Sequence, residues 1–376
     1  MTTSKLFSPL RLGPVDLPNR IAVAPMCQYS ADDGSATDWH LQHWMQYGYS
    51  GAGLVMVEAT AVERLGRITH GCLGLYSDAN EAAIERALSA ARRVAGPAKF
   101  GIQLAHAGRK ASSRRPWDGG QGLSPGEDPW AAAAPSPIPF DADRPAPLPL
   151  DKAGIARIRD AFVAAAKRAA RLGFEVVELH CAHGYLLHSF LSPVSNKRAD
   201  EYGGTLENRM RFALEAAEAV RGALPPHIAL GARLSSVDWA EGGWTLDDSV
   251  VLARKLKALG LDYVCASGGG IAPHIKPPVA PGYMAPFAER IRAEAGIATR
   301  AVGVIVGAEQ AEEIVARGRA DQVAMARAFL DDPRWVWHAA ARLGAEVRYP
   351  PQYDRLRPAI WPGAALARPE SVKPAA

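Results

Sequence analysis

The sequence predicts an α/β fold, a closed (β/α)8 barrel of the TIM type. Short apolar runs typical of buried strands alternate with helical patterns along the 376 residues. The alternation repeats eight times, which is the number of parallel strands that closes into a barrel. A doubly wound sheet is the alternative. It would need fewer strands and a glycine-rich first turn, but the chain contains neither GxGxxG nor GxxxxGK[ST].

The predicted strands follow a short apolar segment, residues 6–19. Its prolines and glycine are typical of a small N-terminal β-hairpin. The eight strands are predicted at residues 21–24, 53–58, 100–104, 174–179, 228–234, 261–266, 297–302 and 321–325. Their apolar character is nearly continuous, so both faces should be covered, as in a parallel sheet packed under helices.

Helical patterns separate the predicted strands. They span residues 39–51, 81–94, 152–171, 206–221, 247–259, 285–295 and 308–316, and a last helix follows Pro333. Thr245 or Asp247 is available as the N-cap of the fifth of these helices, since both side chains can accept hydrogen bonds from first-turn amides.

One interval, residues 106–150, interrupts the alternation. It has no clear helical pattern and is rich in proline, glycine, alanine and serine. Loops of this length inside a compact domain are usually functional or disordered. Because it follows the third strand, we expect a capping excursion over the carboxyl ends of the strands. The predicted organisation is a single domain, residues 1–376, ending in a tail at residues 345–376.

The composition is that of an ordinary soluble globular protein, with 48% hydrophobic and 22% charged residues. The net charge of +4 is spread along the chain, which does not indicate a nucleic-acid-binding face. Four cysteines are too few for a disulfide framework, and no apolar stretch reaches membrane-spanning length. We therefore expect a cytoplasmic protein without nucleic-acid or membrane partners.

The strongest candidate for an active site is residues 178–193. A buried strand ends there in His180, His183 and Tyr185. Imidazole can donate a hydrogen bond to a carbonyl oxygen, and a phenol with a reference pKa near 10 can deliver a proton. The histidines could instead pack in the core, or bind a metal with Cys181. Zinc normally takes three or four ligands, however, and no CxxC is present.

Further candidate site residues follow the other predicted strands, since barrels of this type carry their chemistry at the carboxyl ends of the strands. They are Pro25, Met26, Cys27, Tyr29, Ala59, Gln103, His106, Arg233, Ser267, Gly303, Ala326 and Arg327. The amide of Gly303, the start of the last barrel helix and the charge of Arg327 together predict an anion site that suits a cofactor phosphate.

Three of these candidates have specific interpretations. Gln103 and Arg233 suit a flat heterocycle with hydrogen-bond acceptors along one edge. Arg233 could instead only neutralise Glu178, which strand alternation places on the same face as His180. Cys27 is either a buried small apolar residue or a functional side chain at the strand end.

Six stretches of the chain match a known family. They are Ala24-Pro-Met-Cys-Gln-Tyr29, Gln103-Leu-Ala-His-Ala-Gly-Arg109, His180-Cys-Ala-His-Gly-Tyr185, Phe190-Leu-Ser-Pro-Val-Ser-Asn-Lys-Arg-Ala-Asp-Glu-Tyr-Gly-Gly204, Glu207-Asn-Arg209 and Pro351-Gln-Tyr353. Here the chain resembles the Old Yellow Enzyme family of flavin-dependent ene-reductases. It is closest to the thermophilic-like branch, which has a cysteine beside the flavin. The resemblance extends from about residue 5 to about residue 355.

The resemblance implies an FMN-binding barrel that uses NAD(P)H to reduce activated C=C bonds. FMN contacts would be Ala24, Pro25, Met26, Cys27, Ala59, Gln103 and Arg233, with Gly303, Ala326 and Arg327 at its phosphate. His180 and His183 would bind the oxygen of a small enone or nitroalkene, and Tyr29 would be a further substrate contact. Hydride would pass from flavin N5 to the alkene, and Tyr185 would deliver the proton.

The resemblance also bears on the oligomer. In relatives, an arginine after the Gln-Tyr pair reaches into a neighbouring subunit. Arg355 has this position here, so it is a candidate substrate contact in a homodimer or higher homo-oligomer. Unlike in those relatives, the chain continues to Ala376.

Three other functions stay open at this point. One is a dienoyl-CoA-reductase-like flavin enzyme, although the chain lacks the cysteine run and the additional domains of such enzymes. Another is a metal-dependent hydrolase or lyase that uses His180, His183 and Cys181. The third is a non-catalytic flavin-binding module.

Overall fold

The computed structural model describes residues 4–367 and contains a closed barrel of eight parallel strands. In chain order the strands are β1 Leu10–Leu12, β2 Val15–Leu17, β3 Ile21–Val23, β4 Leu54–Ala61, β5 Lys99–Ala105, β6 Ala133–Ala134, β7 Leu148–Pro149, β8 Val176–Cys181, β9 Ala229–Ser235, β10 Tyr263–Ser267, β11 Ala298–Ala301 and β12 Gln322–Met325. The barrel order is β3-β4-β5-β8-β9-β10-β11-β12, and β12 pairs back to β3. The predicted (β/α)8 fold is confirmed.

Helices alternate with the barrel strands. They are α1 Asp38–Gly48, α2 Asp78–Val94, α3 Lys152–Arg171, α4 Leu186–Leu191, α5 Leu206–Ala223, α6 Leu246–Ala258, α7 Ala285–Ala295, α8 Ala308–Ala316, α9 Arg327–Asp331, α10 Trp335–Leu343 and α11 Ala364–Ala367. Side-chain caps fix several starts. Asp151 accepts from the Gly154 amide at α3, and Thr245, rather than Asp247, accepts from the Asp248 amide at α6.

The core has two layers that follow from strand alternation. Side chains on one face of each strand pack against the helices, where Phe162 of α3 and Phe212 of α5 are fully buried. Side chains on the other face fill the barrel interior. The antiparallel hairpin β1–β2 adds Leu12 and Leu17 to this interior cluster, and so covers the amino end of the barrel. Within residues 4–367, this arrangement leaves the carboxyl end of the barrel open for a site.

Three short helices were not predicted: α4, α9 and the four-residue α11 of the C-terminal tail. All six residues of α4 are buried, so the segment lacks the polar face that marks an amphipathic helix. Helix α9 has five residues, which is too short for a periodic pattern. None of the helices in residues 4–367 combines the length and apolar character needed to cross a bilayer.

Residues 106–150 contain only short elements: three 3-10 turns and the two-stranded β6–β7 ladder. The C-terminal tail contains the 3-10 segment Pro351–Leu356 and α11, while residues 368–376 lie outside the described part of the chain.

Candidate active site

The imidazole pair and the phenol predicted from the sequence meet at the carboxyl end of β8. The ring centroids of His180 and His183 are 5.2 Å apart, and those of His180 and Tyr185 are 4.7 Å apart, both edge to face. His180 ends the inward-facing row of β8, whereas His183 and Tyr185 lie in the turn that leads to α4. Strand, turn and helix therefore bring the three rings together.

His180 is a neutral hydrogen-bond donor. Its Nδ1 accepts the Ala182 amide at 3.2 Å, so the single proton of a neutral ring is on Nε2. Burial holds the pKa of His180 well below its ordinary value, and the charges of Arg233 and Lys110 lower it further. Nε2–H is then available to donate at neutral pH.

His183 has a left-handed backbone, with φ 59°. Its amide donates to Ser235 Oγ at 2.8 Å, and its carbonyl accepts from Lys110 Nζ at 3.0 Å. The Nε2 atom lies 2.7 Å from Ser267 Oγ. Groups from β9, β10 and the segment after β5 thus maintain a backbone conformation that non-glycine residues rarely adopt. Burial and the charge of Arg233 lower the pKa of this imidazole as well.

Tyr185 precedes α4 and remains protonated, because burial raises the pKa of its phenol above the ordinary value. A buried histidine–aspartate pair fixes the turn before Tyr185. The Gly184 amide donates to His188 Nδ1 at 2.8 Å, and His188 Nε2 lies 3.0 Å from Asp238 Oδ1 in a fully buried pair. Gly184 has φ 74°, and a Cβ there would meet the Gly270 carbonyl oxygen at 2.3 Å, so only glycine fits.

Arg233 lies beside His180 on the next strand, at the paired position of β9. Its Nε is buried and has no hydrogen-bond partner among residues 4–367. The alternative that Arg233 only neutralises Glu178 is wrong, because the carboxylate of Glu178 is 3.0 Å from Arg300 Nη1 of β11. The guanidinium of Arg233 is therefore available to a ligand.

Arg300 was missed by sequence reasoning. The sequence feature that could have indicated a role for Arg300 is its position as a charged residue in a mostly apolar strand. This arginine belongs to a buried network in which Glu178 also accepts from Gln103 Nε2 at 2.7 Å and from the Tyr263 hydroxyl at 2.9 Å. The first of these bonds orients the Gln103 amide. It leaves the carbonyl oxygen of Gln103 and one remaining N–H to interact with a ligand.

A cleft of about 560 Å³ lies beside Arg233, at the ends of β11 and β12. Its walls include Gly303, Ala326 and Arg327, the residues predicted to hold a phosphate, together with Ala24. Gly303 has φ 103°, and a Cβ there would meet Met284 side-chain atoms at 3.0 Å. The glycine therefore keeps this wall open and gives a ligand access to the backbone.

The segment after β3 carries the remaining candidates, Pro25, Met26, Cys27 and Tyr29, all half-buried. The Gln28 amide donates to Glu58 Oε2 at 2.9 Å and fixes the turn. Burial, and next the nearby Glu58, raise the pKa of the Cys27 thiol, which stays protonated. Ala59 of β4 lines a small pocket together with Tyr185, so the end of β4 belongs to the same site.

Lys110 is a second residue that sequence reasoning missed. Its Nζ lies 5.0 Å from the ring centroid of Tyr185 and 4.5 Å from that of Phe140 in the capping excursion. Burial lowers its pKa to about 8, with further effects from Arg144 and Arg109. It is a partly desolvated cation within the site.

Two candidates lie outside this group. His106 Nε2 lies 2.9 Å from Glu63 Oε1, and Nδ1 accepts from the Gly108 amide, so its ring serves local structure. Arg355 is exposed. In the same segment, the ring of Tyr353 packs on that of Tyr49, with 5.8 Å between the ring centroids. Tyr49 follows the carboxyl end of α1, and the helices run antiparallel to the strands. Arg355 therefore lies near the amino end of the barrel.

The metal-site alternative loses one of its ligands. Cys181 points away from His180, into the apolar layer between the strands and the helices. Within residues 4–367, no three His, Cys, Asp or Glu side chains are arranged to hold a metal ion.

Comparisons with known proteins show the family to which the chain belongs. Residues 5–346 match the model of the NADH:flavin oxidoreductase / NADH oxidase family. The chain belongs to this family. It is 44% identical over 354 residues to an NADPH dehydrogenase of Listeria innocua, covering 94% of this chain and 99% of the relative. It is 43% identical over 352 residues to an NADPH dehydrogenase of Geobacillus sp., covering 93% and 98%.

Solved structures of similar proteins also match this flavin oxidoreductase. Morphinone reductase, an Old Yellow Enzyme, aligns with a TM-score of 0.74 at 29% identity and covers 94% of both chains. A 2-naphthoyl-CoA reductase aligns with a TM-score of 0.80 at 24% identity, over 91% of this chain and 52% of the other, and shows the fold alone.

These findings confirm the resemblance to the Old Yellow Enzyme family, with FMN as cofactor and NAD(P)H as reductant. The residues present fit FMN. The buried Nε of Arg233 has no partner among the residues that the structure describes, Gln103 is oriented by Glu178, and the cleft walled by Gly303 carries Arg327 at its rim.

Proposed function

We propose that this NADPH:flavin oxidoreductase is an ene-reductase for α,β-unsaturated carbonyl and nitro compounds. One observation carries the proposal: the ring of His180 lies 5.2 Å from that of His183 and 4.7 Å from that of Tyr185, so two neutral imidazoles and a protonated phenol converge. They lie beside Arg233, whose buried Nε has no hydrogen-bond partner in the described part of the chain. Neutral N–H donors activate an oxygen without delivering a proton to it, and a separate acid then completes the reduction.

The residues proposed to hold FMN are those predicted from the sequence. They are Ala24, Pro25, Met26, Cys27, Ala59, Gln103 and Arg233 around the ring, with Gly303, Ala326 and Arg327 at the phosphate. When bound, FMN supplies the hydride that NAD(P)H provides. The charge of Arg233 would favour the negative charge of the reduced cofactor.

The chain's own groups act on the alkene. Nε2–H of His180 donates to the carbonyl or nitro oxygen, and His183 provides the second donor. Together they withdraw electrons from the double bond, and Tyr29 provides a further substrate contact. Tyr185 protonates the α-carbon, and the nearby charge of Arg233 favours the phenolate that remains, since it already lowers the pKa of this phenol against the effect of burial. A positioned acid of this kind typically accelerates a step about 10²–10⁴-fold.

The test replaces both imidazoles, in His180→Ala/His183→Ala. We expect the purified variant to stay yellow, to bind phenol weakly, and to reduce cyclohex-2-enone at least about 10²-fold more slowly, because one such donor alone contributes about that factor. His227→Ala, an exposed histidine before β9, is the control and should behave as wild type. Normal cyclohexenone turnover by the double variant would refute the assignment. A colourless double variant would indicate that these histidines bind the cofactor instead of the substrate.

We also infer that the chain acts as one FMN-binding domain, with residues 106–150 as its cap, and that Arg355 serves a site only in an oligomer. Within one chain Arg355 lies near the amino end of the barrel, whereas His180 lies at the carboxyl end. Arg355 can therefore reach substrate only across a subunit interface. If the flavoprotein sediments as a monomer with full activity, this role of Arg355 is wrong.

A further inference from the structure

The capping excursion contains a small hairpin that the family resemblance did not explain. Residues 112–123 double back through a bridge between Ser113 and Gly122, and the Arg114 amide donates to the Gln121 carbonyl at 2.8 Å. Gly119 and Gly120 at the tip have φ 99° and 74°, which lets the chain reverse. This hairpin is called the tip hairpin below.

Side chains from elsewhere in the excursion hold the tip hairpin in place. Arg144 donates to the Gly120 carbonyl at 3.0 Å and to Ser113 Oγ at 2.6 Å, and Asp141 holds Arg144 at 2.8 Å. The Arg144 side chain is only 8% exposed. Because a nearly buried cation binds both ends of the hairpin, its tip has a defined position relative to the rest of the excursion.

Trp117 is carried at this tip. Its ring centroid is 5.8 Å from that of Tyr29, at an interplanar angle of 79°. The guanidinium of Arg115 lies 5.8 Å from the centroid of the same ring, and 62% of Trp117 is exposed. Aromatic side chains of this size are rarely exposed to solvent to this extent, because most of their large apolar surface is normally buried. An indole held edge to face with Tyr29 extends the aromatic surface of the site outward.

We propose that Trp117 is a specificity-determining residue, which forms an aromatic wall beyond Tyr29 and favours activated alkenes that carry an aryl or other large planar apolar group. The inference rests on the proposed function for the reaction, but it concerns only the part of the ligand remote from the oxygen. A small cyclic enone held by His180 and His183 ends before this wall. An aryl group attached to the alkene reaches past Tyr29 and covers the indole.

The test uses binding, so that it does not depend on turnover. Phenol and 4-phenylphenol are titrated by calorimetry into the flavin-loaded protein, its Trp117→Ala and Trp117→Phe variants, and Trp361→Ala, an exposed tryptophan in the C-terminal tail, as control. We expect Trp117→Ala to weaken 4-phenylphenol binding about three- to tenfold, with phenol changed less than about twofold. Trp117→Phe should keep most of the affinity, and Trp361→Ala should leave both ligands unchanged.

The same variants are then compared in turnover of 4-phenylbut-3-en-2-one and cyclohex-2-enone, and the loss should appear in KM for the aryl substrate alone. Equal effects on both phenols, no effect, or a wild-type protein that does not prefer 4-phenylphenol would each overturn the role of Trp117. If wild type prefers 4-phenylphenol to phenol and Trp117→Ala loses this preference, but wild type reduces neither enone, the ene-reductase proposal fails while the role of Trp117 in binding stands.

Discussion

Lys110 offers a direct test of the electrostatics of the site. Burial lowers the pKa of Lys110 from its ordinary 10.5 to about 8, so the folded protein binds this proton more weakly than the unfolded chain does. The charge therefore reduces stability in full below pH 8. The penalty declines between pH 8 and 10.5 and is absent above that range.

The size of the penalty follows from the two values. A difference from 10.5 to about 8 corresponds to about 3 kcal/mol of stability. Lys110→Met keeps most of the apolar stem and removes the charge, but loses the hydrogen bond to the His183 carbonyl, which is worth about 1 kcal/mol. We expect the variant to be about 2 kcal/mol more stable than wild type at pH 7, and about 1 kcal/mol less stable above pH 10.5.

The measurement is urea unfolding of the flavin-loaded protein, followed by circular dichroism at pH 7, 8, 9 and 10. Lys167→Met, at an exposed position of α3, is the control and should show no comparable trend. A stability difference between Lys110→Met and wild type that stays constant from pH 7 to pH 10 would refute the reasoning. A less stable variant at pH 7 would refute it too.

Three further predictions concern the flavin and its reaction. Tyr185→Phe should slow alkene reduction about 10²–10⁴-fold and leave flavin reduction by NADPH unchanged in stopped-flow measurements, and equal losses in both steps would contradict a proton-donor role. Arg233→Met should bind reduced FMN about tenfold more weakly and lower the flavin midpoint potential, whereas Arg233→Lys should retain part of both, and an unchanged potential would count against the contact. Gly303→Val should lose FMN on dilution because its side chain meets Met284, while Gly222→Ala, in open space on α5, should not.

Much of the fold could be predicted because periodicity and caps agree along the chain. The bounds of α3, α7 and α8 coincide with the predicted residues 152–171, 285–295 and 308–316. These helices carry a regular apolar face, and Asp151 caps the first of them. Helix α4 carries no such signal, since all six of its residues are buried, His188 and Ser189 included, and its helical state is decided by burial.

The site was predictable to the extent that strand ends define it. His180, Arg233 and Gly303 could be placed together because the carboxyl ends of parallel strands share one end of a barrel. The role of Arg300 could not be predicted, since its partner, Glu178, is 122 residues away in sequence. The position of Lys110 could not be predicted either, because its Nζ donates to the carbonyl of His183. The left-handed backbone of His183 is not indicated by any local sequence pattern.

The hairpin β1–β2 has a kinetic consequence. Because it covers the amino end of the barrel, a nicotinamide and the proposed alkene substrate would enter and leave through the same opening, and each would exclude the other while bound. We expect a double-displacement pattern, with parallel lines in double-reciprocal plots. High concentrations of either reactant should inhibit, because that reactant then occupies the site in the form of the enzyme that the other must bind.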